Sequence, residues 1–546
     1  PLQHVNESRP WAQTCHHTAF DTSQKIKTYI FTDGMGRVAQ SRKTSVIDGI
    51  VKQVASGMTL YDDLGRVVRT YDPFVVSDTI SHYVTPVSTN TYTATTYDPL
   101  DRKTSDTLHF DGSTLLTTYR YGFSRAGGLN VVTQAVTDPN NHTTTVSTDS
   151  RGLKYRIVNP LGDSTLIRYD ALGQLIESID PEGFSTLYTY DMQGALLSRD
   201  HPDAGLTTYK YDKLGQVTEE RNANSETITY QYDFNRLTDK RYSDITANDV
   251  HYDYGNASAG NAAGRIVQVS DGSGIQWIYY DNMGNVSQNI RTFAIPNESA
   301  SYSFTMNYEY DSWGRMVSIG YPDGEEVQYA YNNAGDLFSV SGQKGTFAYQ
   351  YIDSIWYNAY GGKDMQWYGN GTFAQYSYDG LHRLSHLLTS NGSDVMQDID
   401  YTYDNVGNII EVANSASSIG ILGKTSRDNY FYDALGRLSI ADLNYGSNRE
   451  EYLASYSGSG RMMHKYHPGV PETPYQNLFF GYCNKRQPHA PRRIVNFTQN
   501  PFWDIHDLSW DKKGNLVRTA SYLDGRTEPA LTRHLFWTED NRLHTV

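Results

Sequence analysis

Cysteine is almost missing from this chain. Its 546 residues include two, Cys15 and Cys483, so a disulfide-stapled scaffold is excluded. A single bridge between them would need Cα atoms within about 7 Å, and nothing in the sequence brings them together. No run of about 18 apolar residues occurs, so no helical membrane span is expected. Apolar residues make up 38%, below the roughly 45–50% of ordinary globular chains. Basic residues are outnumbered, 46 against 61 acidic, for a net charge of −15. Nucleic-acid binders need a basic stripe to neutralise phosphate, and none is present. The one dense basic stretch, Lys485, Arg486, Arg492 and Arg493, reads as a solvated loop. No Gly-rich loop joins a strand to a helix, which argues against phosphate binding. The chain opens at Pro1 without a methionine, consistent with a piece of a longer polypeptide.

What is abundant is tyrosine, with 45 residues, and glycine, also with 45. Aromatic residues favour strands and glycine punctuates turns. Tyr-Asp-x-x-Gly occurs at Tyr169-Asp170-Gly173, Tyr190-Asp191-Gly194 and Tyr211-Asp212-Gly215, 21 residues apart. Tyr232-Asp233 follows one period later without the glycine, and Thr148-Asp149 precedes the series. Further copies are Tyr61-Asp62-Gly65, Tyr280-Asp281-Gly284, Tyr310-Asp311-Gly314, Tyr403-Asp404-Gly407 and Tyr432-Asp433-Gly436. Looser ones begin at Tyr97, Tyr331, Tyr378, Tyr456, Trp510 and Trp537.

Between these lies a second turn. It reads Asn159-Pro160-Leu161-Gly162, Asp180-Pro181-Glu182-Gly183 and Tyr321-Pro322-Asp323-Gly324, with weaker forms at Asp138-Pro139-Asn140-Asn141 and from His201 to Gly205. Asp at the first position accepts backbone amides, Pro presets φ, and the closing Gly takes the left-handed conformation. A type I turn followed by a left-handed residue joins hairpin strands. One repeat is therefore two strands of about six residues and two turns, and base-rate helix content is not expected.

Tyr188 and Tyr190 share one face and Thr189 the other. Leu175, Leu196, Val217 and Leu237 recur after the turn, followed by charged residues such as Glu177, Arg199, Glu219, Glu220, Asp239 and Lys240. Neither face is dry enough for a β-sandwich. A long antiparallel sheet wetted on both faces is expected, curling to protect its edges. Tyr169, Tyr190, Tyr211 and Tyr232 should align on every second strand. The most regular part is 148–245, with irregular repeats over 1–147 and irregular repeats with longer loops over 246–546, all within one continuous repeat region, 1–546.

The segments Tyr61-Asp62-Asp63-Leu64-Gly65-Arg66-Val67, Tyr432-Asp433-Ala434-Leu435-Gly436-Arg437-Leu438, Tyr232-Asp233-Phe234-Asn235-Arg236-Leu237 and Asp311-Ser312-Trp313-Gly314-Arg315 resemble the Rhs/YD-repeat family of bacterial polymorphic toxins, including the B and C components of insecticidal toxin complexes. Animal teneurins carry a more distant relative. The resemblance implies an all-β fold: a spiralling sheet of YD hairpins forming a hollow shell, or part of one. It implies a non-catalytic, exported, extracellular protein that encloses a C-terminal toxin of the same parent polypeptide until delivery. Its partners would be that cargo and remaining shell segments or another toxin-complex subunit. The family's autoprotease segment follows the repeats. The chain departs from the pattern there, ending at Val546 in a strand after a YD-like turn.

Other chemistry is weaker. Asp180-Pro181-Glu182-Gly183 is similar to the family's cleavage motif but sits mid-array before Phe184, and reads as a plain turn. Cys15-His16-His17, even with His142 or His201, completes no metal-ligand spacing. The many carboxylates sit at turn starts, where Asx bonding explains them better than glycoside hydrolysis. No catalytic residue, metal or cofactor is expected. The alternative function is an extracellular adhesive or carbohydrate-binding Tyr-rich repeat; against it, such repeats usually carry Trp in each unit, and only 8 Trp occur here.

Overall fold

The computed structural model describes the chain except residues 1–9, 18–24, 48, 77–82, 88–90, 127, 244–247, 295–299, 417–424, 446–447, 468–475, 484–486, 498–502, 523–527 and 539–540. About 65% of the chain is strand. The described residues form no α-helix, only a 3-10 turn at Gly260–Ala262. One sheet holds 44 strands. From Tyr92–Tyr97 to Leu531–His534 consecutive strands pair antiparallel. The expected open, spiralling antiparallel sheet is what forms.

The local cause is the turn chemistry. Strands such as Ser164–Tyr169, Leu175–Ile179, Ser185–Tyr190 and Leu196–His201 run five or six residues between turns. At each YD turn the strand register shifts by a bulge, so that Tyr169 faces Leu175, Tyr190 faces Leu196, Tyr211 faces Val217 and Tyr232 faces Leu237. A bulge opposite a positive-φ residue sharpens the right-handed twist. Repeated at each YD turn, it coils the strip instead of letting it lie flat. Longer strands also occur, Ser113–Ala126 with 14 residues and Phe347–Tyr357 with 11.

No conventional core exists. The accessible surface is 31,735 Å², whereas a compact protein of 61.7 kDa should expose about 20,000 Å². The excess is what a sheet wetted on both faces produces. The buried hydrophobic cluster sits near the start of the strip, where Ala55, Met58, Tyr71, Phe74 and Val76 pack with Tyr83 and Val84. There the side-chain amide of Gln40 donates to the Val84 carbonyl (2.8 Å) and accepts from the Val84 amide (3.1 Å), pinning that segment over the N-terminal strands.

At three places along its length the strip returns over itself at the same interval. The turn after Leu129–Thr137 touches the turn after Val395–Tyr403, through Asn140 and Asp404. The turn after Leu175–Ile179 touches the turn after Asn448–Tyr456, through Glu182 and Ser459. The turn after Val217–Arg221 touches the turn after Trp503–Trp510, through Asn224 and Asp511. In each case the mates lie 23 strands apart. At about 4.8 Å per strand, one winding is about 110 Å around. Closed as a circle this gives a radius of about 18 Å, and more if the strands tilt.

Candidate functional site: the repeat turns and the seam between windings

In each YD turn that keeps its glycine the Asp carboxylate accepts two backbone amides. Asp62 Oδ1 takes those of Leu64 (3.0 Å) and Arg66 (2.8 Å), and Asp433 Oδ1 those of Leu435 (2.9 Å) and Arg437 (3.0 Å). Asp170, Asp191, Asp212, Asp281, Asp311 and Asp404 do the same. The residue three beyond each Asp has positive φ, from +72° at Gly314 and Gly436 to +98° at Gly407, with Gly65, Gly173, Gly194, Gly215 and Gly284 between. Asp101 and His382 hold the same place without being glycine, and Phe234 takes positive φ one residue after Asp233 in a shorter turn. Asp180 forms the second turn identically, through the Glu182 and Phe184 amides at 2.9 and 2.8 Å.

At many of these turns the tyrosine before the first turn residue links one repeat to the previous one. Tyr403 donates its hydroxyl to the Leu384 carbonyl at 2.7 Å, Tyr280 to Ile266 at 2.7 Å, Tyr211 to Leu196 at 2.8 Å, and Tyr432 to Ile409 at 2.9 Å. Tyr97, Tyr331, Tyr378 and Tyr456 act alike. Trp510 and Trp537 substitute an indole N–H, at 2.8 Å to Pro491 and Leu516. Burial pushes the phenols of Tyr211, Tyr280, Tyr403 and Tyr432 up, so they remain donors at neutral pH.

Sequence reasoning missed a third member, the Arg after the turn glycine. Arg315 pairs with Asp311 (2.6 Å), lies 4.2 Å over the Tyr331 ring, and donates to the Gly335 carbonyl (3.0 Å). Arg383 and Arg437 repeat this with Tyr403 and Tyr456, and Arg66 with Tyr97. The signal was visible as Gly-Arg after Tyr-Asp. Its meaning lies in the neighbouring repeat.

The seam was also missed, because its mates are 264 to 310 residues apart. It is electrostatically sided. The earlier winding supplies acids and the later winding cations: His382 beside Asp72 (3.3 Å), Arg461 on Glu182 (2.8 Å), His489 on Asp180 (2.6 Å) and Asp203 (2.5 Å), and Lys513 on Glu226 (2.5 Å). Desolvation would raise the Glu226 carboxyl, but Lys513 and the amides of Asn222 and Asn224 overcome it and hold it below its ordinary value. Of the YD residues, Asp404 lies at this seam, and with Tyr432, Asp433 and Gly436 it lines an open groove of about 600 Å³ against Asp138, Asn140 and His142. The looser copies at Tyr378, Tyr456 and Trp510 also reach the seam, through His382, Ser459 and Asp511. Arg493 pairs with Asp507 at 2.6 Å. Lys485 and Arg486 lie outside the described residues. Cys15 and Cys483 are not joined in a disulfide.

Comparison with known proteins agrees with this geometry. The RHS Repeat family matches residues 169–206 and 211–244, and the Teneurin YD-shell family matches 274–468. Toxin subunit YenC1 of Yersinia entomophaga is 31% identical over 150 residues, covering 26% of this chain and 15% of its own length. Toxin subunit YenC2 of the same organism is 30% identical over 171 residues, covering 29% and 17%. The chain thus matches only a small part of these relatives. The crystal structure of TcdB2-TccC3-Cdc42 superposes with a TM-score of 0.80 at 20% identity, covering 99% of this chain and 31% of that one. The Photorhabdus luminescens Tc holotoxin pore superposes at 0.79 and 19% identity, covering 98% and 30%. The repeats over 169–244 thus match RHS repeats, those over 274–468 match the teneurin YD-shell, and the sheet they build has the fold of the TcdB2-TccC3 chains.

Proposed function

We propose that the chain is a non-catalytic wall segment of a secreted bacterial Rhs/YD-repeat toxin, enclosing a C-terminal toxin segment of its parent polypeptide until delivery. The observation that carries this reading is the return of the strip on itself every 23 strands, which builds a wall around a space instead of a core. Half of the roughly 10 Å between stacked sheets is side chain. That leaves a lumen of radius about 13 Å inside an 18 Å circle. The turn-start carboxylates support a structural role, since one oxygen of each is occupied by two turn amides. The names of the YenC subunits and of the TcdB2-TccC3 complexes support a toxin shell with further shell segments or toxin-complex subunits as partners.

The test is protease protection. An unstructured reporter segment is joined after Val546, and its cleavage is compared with that of the same reporter free in solution. Enclosure predicts cleavage slowed at least tenfold, restored when the seam is weakened by Lys513→Ala and Arg461→Ala together. Equal cleavage of joined and free reporter would refute it.

One place favours the adhesive reading. Phe347, Tyr349 and Tyr351 stand exposed on the long hairpin, with Tyr349 and Tyr351 both donating to Glu325. Binding of the chain to immobilised polysaccharide, abolished by Tyr349→Ala and Tyr351→Ala, would move that reading ahead.

A further inference from the structure

At one point the seam gathers more ligating groups than an ion pair needs. Asp180, Glu182 and His489 each bring one ligand atom within 4.8 Å of the others. Two come from the second-type turn of the earlier winding, and His489 comes from the later one. His489 Nδ1 is 2.5 Å from Asp203 Oδ2, and the His489 backbone amide donates to Asp203 Oδ1 at 2.9 Å. Phe184 stands edge-on to the imidazole, 5.5 Å between centroids. The ring is therefore held on two sides, with Nε2 turned toward Asp180 Oδ2 at 2.6 Å. A carboxylate on Nδ1 is the arrangement that orients a histidine for metal through its other nitrogen.

A second observation is independent of that geometry. Glu182 Oε2 accepts from Ser459 (2.6 Å) and Arg461 (2.8 Å). Its Oε1 is enclosed and has no hydrogen-bond partner. A buried carboxylate oxygen without a partner is costly. Charge points the same way. Asp180, Glu182 and Asp203 bring three carboxylates together, and among the described residues Arg461 is the one guanidinium paired with them. A divalent ion would offset the excess and give Oε1 a partner. The same turn opens onto a solvent-connected cavity of about 340 Å³, lined also by His201 and Ser459, which gives entry and room for water ligands.

We infer that Asp180, Glu182 and His489 form a site for one divalent transition-metal ion of the zinc class, stapling one winding of the strip to the next. Two carboxylate oxygens and one imidazole nitrogen, with water completing the shell, suit zinc or cobalt better than calcium, which prefers more oxygen ligands. The ion would join residues 309 positions apart in sequence, so its effect is on seam opening.

The test uses the full 546-residue chain in a Cys15→Ala, His16→Ala, His17→Ala background, which removes the separate thiol–imidazole run at the first strand. The chain is stripped with chelator, loaded with one equivalent of zinc, passed through a desalting column and assayed for bound metal. Cobalt loading reads the ligand field by its visible absorption. We expect one zinc per chain, at least tenfold less retained by Glu182→Gln, and none by His489→Lys. The lysine keeps a cation between Asp180 and Asp203, so this variant should preserve the zinc-free fold and its resistance to protease at the seam. Failure of the parent to retain zinc, or equal retention by both variants, would overturn the site. So would an NMR spectrum in which His489 keeps both ring N–H protons with zinc present; that result would make the residue an imidazolium clamp.

Discussion

Replacing Tyr403 isolates the bond that ties one repeat to the last. Tyr403→Phe removes only the hydroxyl that donates to the Leu384 carbonyl at 2.7 Å. A hydrogen bond of this kind contributes about 1 kcal/mol net, so local opening should rise roughly fivefold. Tyr403→Leu also removes the ring under the Arg383 guanidinium, 4.5 Å away. Such a contact adds about 0.5–1 kcal/mol, for a combined rise of roughly fifteen- to thirtyfold. Tyr403→Trp should fall closest to the parent, since Trp510 and Trp537 already make the equivalent bond through an indole N–H. A repeat array opens locally instead of in one transition, so the assay is native-state hydrogen exchange on peptides covering Leu384–Ser390 and Val395–Tyr403. If Phe and Trp behave alike, or if the faster exchange spreads evenly along the chain, the ladder does not couple repeats as described.

Gly407 has φ +98° with open space around its missing Cβ, so Gly407→Ala should cost about 1–2 kcal/mol from conformation alone, and Gly407→Asn less; exchange in the 404–408 turn measures both. Lys513 is nearly buried against Glu226, and Lys513→Ala should weaken the seam by about 3 kcal/mol, read as faster exchange at residues 222–226 and 511–515. Because the folded Glu226 carboxyl is held below its ordinary 4.5, its contribution is full above that value and is lost as pH falls through the folded one. The same turns should therefore open in acid and not in mild alkali, and Glu226→Gln should remove the pH response there. Circular dichroism should show less than about one-fifth helix. Small-angle scattering should give a radius of gyration above the roughly 24 Å of a compact chain of this length, and a value at or below it would exclude a wall around a space.

The elements written in the sequence are those whose cause is local. An Asp that accepts amides two and four residues ahead needs only its own turn, so Asp62, Asp170 and Asp433 were readable, as was the glycine three places on. The Trp copies were readable by position, though their equivalence to Tyr rests on a carbonyl some 20 residues back. Arg315 and Arg437 were visible as letters, but their targets are the ring and turn of the following repeat. The seam had no local signal at all. Glu226 and Lys513 are ordinary surface residues in sequence, and only the circumference of the winding makes them neighbours. The Met58 and Phe74 cluster was equally hidden, since it depends on residues 83–84 crossing strands to which they are not adjacent.

The interval of 23 strands has a parity. Turns alternate between the two borders of the strip, so two turns on opposite borders are always separated by an odd number of strands. Stacked windings must bring opposite borders together, and an even interval could not do so. The strip thus has something like a reading frame. Losing one strand between Asn224 and Asp511 would present every downstream turn on the wrong border. Gaining a whole 21-residue repeat would keep the border but move each cation one repeat away from its acid. Repeats in such a chain are interchangeable as local units and not interchangeable in number, and the count within a winding is held by contacts that no single repeat contains.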